Sequence, residues 1–278
     1  MSSPLAPILA HLRDEPSRTW SLIITLYGDA IVPRGGSVWL GTLLAFFHGL
    51  EIGDGVVRTA MSRLAADGWL ERNRVGRNSF YRLRAKGRAP FQEAARRIYT
   101  AQPEPWRGFF ELLLPETIDR SQMEAAGCGA IAPGVWITPR PVVADGLRLR
   151  AEGDADTLRA LAGRAWPLAK LGDAYGAFVA TFAALLDFLR DGGALSELDA
   201  LIARVLLIHE YRRIVLRDPL LPAVVLPSDW PGNAARALCA EVYRALLAPS
   251  ESWLDVHAID DSGAALSADP LIFERFSA

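Results

Sequence analysis

Cysteine is almost missing from this chain: Cys128 and Cys239 are the only two in 278 residues. That excludes a disulfide framework and suits a reducing compartment. Histidine is nearly as scarce, with four copies. Position 213, four residues after His209, is Arg, so the paired-histidine spacing of a zinc protease is lacking. No serine stands in a G-x-S-x-G elbow. Gly127-Cys128-Gly129 lacks the third glycine of a dinucleotide loop and reads as a turn. Apolar runs are short: Ala177–Leu186 falls below the roughly 20 residues that cross a bilayer. No basic stretch followed by an apolar one opens the chain, and neither repeats nor low-complexity tracts occur. These absences lead us to expect a soluble cytoplasmic protein with no cofactor, no metal and no membrane partner. The 51% hydrophobic content is enough for two or three packed domains.

What is present is an uneven charge. The formal net charge of −2 conceals a first stretch of 90 residues with 12 basic and 7 acidic side chains, or +5, and a remainder at −7. Residues 53–88 hold nine basic side chains against Asp54, Asp67 and Glu71. Positive charge concentrated in one segment is what neutralising a row of phosphates requires.

That segment has a pattern. Apolar steps of three and four predict a helix over Thr19–Ile31, broken by Val32-Pro33-Arg34-Gly35-Gly36. Ser37 can cap a second helix running to about Gly49, and Asp54 a third. On the third helix, at about 100° per residue, Val57, Ala60, Met61 and Leu64 gather on one side and Arg58, Thr59, Ser62 and Arg63 on the other. Two long cations and two hydroxyls suit phosphates and base edges in a major groove, although arginines on a helix are more often a solvated face. Trp69–Arg72 and Ser79–Leu83 then read as antiparallel strands around Gly76. Arg72, Arg74, Arg77, Asn78 and Arg82 on this hairpin can meet a phosphate backbone or a minor groove. Helix, turn, helix and basic hairpin in this order predict a winged helix-turn-helix that binds double-stranded DNA, over residues 19–101 with a connecting helix at Phe91–Tyr99. Residues 1–17 read as a mobile lead-in.

Gln102-Pro103-Glu104-Pro105 reads as a domain boundary. Residues 104–171 follow as β-α-β-β-α, with a further strand not placed, which predicts a ferredoxin-like α+β domain. Residues 172–278 are mainly helical, with helices predicted at Tyr175–Leu189, Leu195–Ile214 and Ala234–Leu247. The expected class is α+β multidomain.

Several motifs resemble one family. Leu26-Tyr27-Gly28-Asp29-Ala30-Ile31-Val32-Pro33-Arg34-Gly35-Gly36 followed by Trp39-Leu40-Gly41, then Val57-Arg58-Thr59 and Gly68-Trp69-Leu70, look like the opening of the phenylacetate-operon repressors, the PaaX family. Gly134-Val135-Trp136-Ile137-Thr138-Pro139 resembles its central domain. Ile208-His209-Glu210-Tyr211-Arg212-Arg213, Arg217-Asp218-Pro219 and Leu226-Pro227-Ser228-Asp229-Trp230-Pro231-Gly232 resemble its C-terminal part. The resemblance spans roughly residues 20–255. It implies a homodimeric repressor that binds a two-fold operator and is released by an acyl-coenzyme A, phenylacetyl-coenzyme A in the best-known members. The helical C-terminal domain would then carry effector binding and dimerisation.

His209, Arg212 and Arg213 are candidate contacts for such an effector, since two guanidiniums can pair with its phosphates. The competing expectation is structural: Tyr211 packs and Glu210 pairs with a nearby arginine. No enzyme is expected. The alternatives are a metal-dependent nuclease using Glu111 and Glu116 in the central domain, for which neither has an obvious paired acid, and a coenzyme A thioesterase.

Overall fold

A computed structural model of the chain describes residues 4–14, 17–100, 105–117 and 119–277. Most of the Gln102–Pro105 boundary therefore lies outside the described residues. The architecture is mixed, dominated by helices, with two small antiparallel sheets and a helical C-terminal region.

The chain divides into two compact units, and they are not consecutive segments. The first joins Met1–Thr100 with Phe178–Arg213 and Ala234–Ala278; the second holds Ala101–Ala177 and Ile214–Asn233. The sequence pattern predicts residues 19–101 and 172–278 as separate domains. The reason for the difference is helix α9 (Glu197–Val215). Every residue from Ala200 to Ile208 is buried. A helix apolar on all sides needs partners on all sides, and the amino-terminal helices supply some of them.

In the first unit, α1 (Ala6–Asp14) buries Ile8, with Leu5 just before it, where a mobile lead-in was expected. Helix α2 (Thr19–Leu26) buries Leu22, Ile23 and Leu26 and then widens into a π-type turn over Tyr27–Ile31. Gly35 and Gly36 have φ of +88° and +76°, a region closed to most side chains. They reverse the chain into β1 (Ser37–Trp39), so Ser37 is a strand residue rather than the helix cap expected of it. Helices α3 (Leu40–Gly49) and α4 (Asp54–Ala66) follow. Then come β2 (Leu70–Val75), β3 (Asn78–Leu83) and α5 (Ala85–Ala95). The sheet order is β1-β3-β2, antiparallel throughout. Gly76, at φ +60°, takes the first place of the two-residue turn joining β2 to β3, where such hairpins call for glycine.

The second unit is built on a four-stranded antiparallel sheet of order β5-β6-β4-β7. Its strands are β4 (Phe110–Pro115), β5 (Gly129–Ala132), β6 (Val135–Thr138) and β7 (Gly146–Ala151). β5 is the strand the sequence pattern leaves unplaced, because Gly127-Cys128-Gly129 reads as a turn. Helix α6 (Arg120–Ala125) puts Met123 beside Leu113 and Trp136. Helix α7 (Ala155–Ala165) puts Leu158 and Ala162 beside Phe110 and Ile137. Residues 110 and 113, like 136 and 137, point to opposite sides of a pleated sheet, so the two helices cover opposite faces. A ferredoxin-like domain instead has its second helix between the third and fourth strands. Here α7 follows the fourth strand, which corrects that expectation in the placing of the helices while the strand order agrees with it.

Helix α8 (Leu168–Arg190) is eight residues longer than predicted, and by length and composition alone could span a bilayer. Its buried Phe178, Phe182 and Leu185 pack as core of the first unit. Helix α10 (Gly232–His257) also runs past its predicted end, through Pro249.

Candidate nucleic-acid interface

The core stripe of α4 is Val57, Met61 and Leu64, all buried. The opposite side carries Arg58, Thr59, Ser62 and Arg63, all exposed. Gly55, Thr59, Ser62 and Ala66 follow one another along the outermost line at helical spacing. Small side chains there let a helix approach a groove closely, with Arg58 and Arg63 flanking them. Each arginine lies near an acid on its own helix surface, Arg58 3.8 Å from Asp54 and Arg63 3.9 Å from Asp67. Exposed pairs of this kind are worth between nothing and about 1 kcal/mol, so both cations are cheaply released. Thr59 donates its hydroxyl to Gly55 O at 2.8 Å, leaving the oxygen lone pairs outward.

The hairpin divides its basic residues. Leu70 is the buried residue of β2, and Arg72 and Arg74 share its face at two-residue steps. Arg72 donates to Ser79 Oγ at 2.8 Å, and Arg74 to Gly76 O at 3.2 Å, which holds both against the strand. Arg77 stands at the turn, exposed and with no ion-pair partner among the described residues. Asn78 ends the hairpin opposite Val75. Arg82 is exposed on the other face, across from Glu71. On that face Asn73 donates to Asp261 at 2.9 Å. The register therefore puts Arg72 and Arg74 on one face and Asn78 and Arg82 on the other, with Arg77 at the turn between the strands.

His209, Arg212 and Arg213 have other work. His209 is buried, its two ring nitrogens 2.9 Å from Thr25 Oγ1 and 2.9 Å from Ser17 Oγ. Burial, aided by the Arg212 and Arg213 charges, pushes its pKa down to about 3, so the ring is neutral. Arg212 donates to Thr25 Oγ1 at 2.7 Å and to Ser21 Oγ at 2.7 Å. Arg213 pairs with Glu210 at 3.1 Å. This is the arrangement of the structural alternative: α9 is pinned to α2 through His209 and Arg212, while Arg213 pairs with Glu210 and stays half exposed.

A pH prediction follows from His209. The unfolded chain takes up a proton near pH 6.5 that the folded chain refuses down to about 3. Stability is therefore full above pH 6.5 and falls as acid is added, by up to about 1.4 kcal/mol per pH unit from this group. In urea titrations from pH 7 to pH 5, His209→Gln should flatten that decline. An unchanged slope would remove His209 as its source.

The same unit contains a buried ionic chain that sequence reasoning missed. Asp29, in the π-type turn, accepts from Arg204 Nε at 2.6 Å, Tyr99 Oη at 2.6 Å and Arg275 Nη1 at 3.0 Å. Arg204 continues to Glu251 at 2.6 Å, Glu251 to Arg34 at 2.5 Å, and Arg34 to Asp255 at 2.7 Å. Burial would raise the Asp29 carboxyl, but Arg204, Arg275 and the Tyr99 hydroxyl outweigh it and hold the pKa below the usual range. Charges alternate along the whole chain, as buried ions require. Only the identity of Asp29 and Arg34 within an otherwise apolar, glycine-bounded stretch could have signalled it.

In the second unit, Glu111 faces two guanidiniums, Arg107 at 3.0 Å and Arg148 at 3.4 Å, rather than a second carboxylate. Among the described residues no group of three or more His, Cys, Asp or Glu is placed to hold a metal ion.

An exposed, arginine-flanked helix beside an arginine-bearing hairpin defines a class of protein, one built to meet a polyanion. Comparison with known proteins narrows it. The family described as PaaX-like protein matches residues 18–87, and the PaaX-like protein C-terminal domain matches residues 166–256. The transcriptional repressor PaaX of Escherichia coli (strain K12) is 36% identical over 281 aligned positions, covering 92% of this chain and 89% of that protein. The chain belongs to the PaaX family. Among solved structures, an uncharacterized protein Rv0674 from Mycobacterium tuberculosis superposes with a TM-score of 0.53 at 23% identity. It covers 77% of this chain and 90% of its own, and shares the fold.

Proposed function

We propose that this chain is a cytoplasmic, DNA-binding transcriptional repressor that acts as a homodimer on the operator of an aromatic-acid operon of the phenylacetate type. The observation that carries the reading is the exposed outer stripe of α4 beside the Arg72–Arg77 hairpin, in a chain related over nearly its whole length to a transcriptional repressor. The order α2-β1-α3-α4-β2-β3, with sheet order β1-β3-β2, is read as a winged helix-turn-helix. In that reading α4 enters the major groove with Arg58, Thr59, Ser62 and Arg63. The hairpin tip lies on the backbone with Arg72, Arg74, Arg77 and Asn78, and Arg82 reaches only a strand that wraps around the hairpin. Two copies read two half-sites, which is why a dimer is needed. Release follows if an acyl-coenzyme A binds the DNA-incompetent arrangement more tightly than the competent one.

The test starts with duplexes selected from a random pool and incubated with Mg²⁺. An intact, shifted duplex supports the repressor, and cleavage overturns it. Replacing Arg77 by Ala should weaken selected and random DNA alike and lower the salt slope by about 1 per copy. Replacing Arg63 by Ala should cost about 1–3 kcal/mol on the selected site and relax preference at one position. Equal loss on both kinds of DNA would remove its base-reading role. Adding phenylacetyl-coenzyme A should then free the duplex.

A further inference from the structure

Of the eight tryptophans, Trp20 alone is exposed, at 38%. It stands in the first turn of α2, next to Arg18, which is also exposed. An exposed part of an aromatic ring beside other apolar surface marks a contact site where polar groups rim it. Two adjoining clefts have Trp20 and Arg63 in common. One, of about 310 Å³, places Arg18, Trp20, Ile24 and Trp69 around Arg63 and Asp67. The other, of about 380 Å³, runs from Trp20 over Val56 to Thr59 and Arg63. Val56 is 54% exposed, so the lip of this second cleft is apolar as well.

The chemistry selects the occupant. A cleft that joins aromatic rings to the guanidiniums of Arg18 and Arg63, with the single carboxylate of Asp67, suits a group with an apolar ring and negative charge at its edges. A stretch of DNA strand has that form, with deoxyribose and thymine methyl groups between phosphates. Position agrees with chemistry: Thr59 and Arg63 belong to the outer stripe of α4, so a duplex lying along that stripe continues into the clefts. We propose that Arg18 and Trp20 extend the DNA-binding surface beyond α4 and the hairpin. Trp20 packs on a sugar or thymine methyl at the edge of the major groove, and Arg18 neutralises a phosphate of the same strand. The inference rests on the duplex-binding reading above and adds to it a contact on α2.

The experiment compares Trp20→Ala, Trp20→Phe and Arg18→Ala with the unchanged chain and with Arg77→Ala, on the selected duplex at several salt concentrations. Trp20→Ala should weaken binding about tenfold with the salt slope unchanged, the mark of an apolar contact. Trp20→Phe should recover part of that loss. Arg18→Ala should weaken binding and reduce the salt slope by about 1 per copy. Melting temperatures taken alongside identify any variant that merely unfolds, and Arg18, a surface residue, decides the question if Trp20→Ala does. Unchanged binding by Trp20→Ala and Arg18→Ala, while Arg77→Ala loses affinity, would overturn the extension and leave the duplex reading standing. An unchanged chain that shifts no duplex at all would overturn both.

Discussion

Asp29→Asn is expected to destabilise the first unit by about 3–5 kcal/mol, the cost of removing one partner from a buried ionic chain. The substitution keeps the shape and some hydrogen bonds but removes the charge that faces Arg204 and Arg275. Arg204 is fully buried, and its Nη2 already lacks a hydrogen-bond partner among the described residues, so it has little scope to compensate. Asp255→Asn provides the contrast. Asp255 ends the same chain, but its side chain is 62% exposed. Water replaces the lost charge there, and the cost should stay below about 1 kcal/mol. Urea denaturation of both variants measures the difference. Equal, small effects would mean that the ionic chain contributes little to holding the unit together. The depressed pKa of Asp29 adds a sign: its contribution is present at neutral pH and is lost as pH falls below the ordinary carboxylate range.

Raising monovalent salt from 50 mM to 200 mM should weaken operator binding by about 10³–10⁵, the range for six to ten neutralised phosphates. The number fits the proposed dimer, in which each copy offers Arg58, Arg63, Arg72, Arg74 and Arg77 from exposed positions. None of these arginines is committed to a strong internal pair. Among the described residues only Arg58 and Arg63 of these five pair with a carboxylate, at 3.8 and 3.9 Å, so little internal attraction competes with phosphate. Fluorescence anisotropy of a labelled duplex across that salt range gives the slope. A change below tenfold would mean that the arginines do not meet the backbone, and the proposed surface would be wrong.

The surface of α4 was legible because helical periodicity is local. Val57, Met61 and Leu64 repeat at three- and four-residue steps, and a residue's side of the helix follows from its number alone. The hairpin was legible for the same reason: Gly76 and the alternation around it mark a turn and two faces. The division of its arginines was not foreseen, because the side on which Arg82 falls depends on strand register and on what covers each face. Ser37-Val38-Trp39 is too short to carry a strand pattern and reads as the start of a helix, and only pairing with Tyr81 and Arg82 makes it β1. β5 escapes the sequence pattern because Gly129, Ala130 and Ala132 carry no strand preference and pair only through β6.

Residue order alone decided where the positive charge lies, which face of α4 is apolar, and where the basic hairpin turns, since all three depend on neighbours a few positions apart. Tertiary structure decided what the motif residues do. Asp29 and Arg34 hold Arg204 and Glu251 from more than 170 residues away, and His209 and Arg212 hold α2, where a ligand had been expected. A buried ion's partner is set by which distant segments the core brings together, and charge pairing across such separations leaves no periodic trace in the chain.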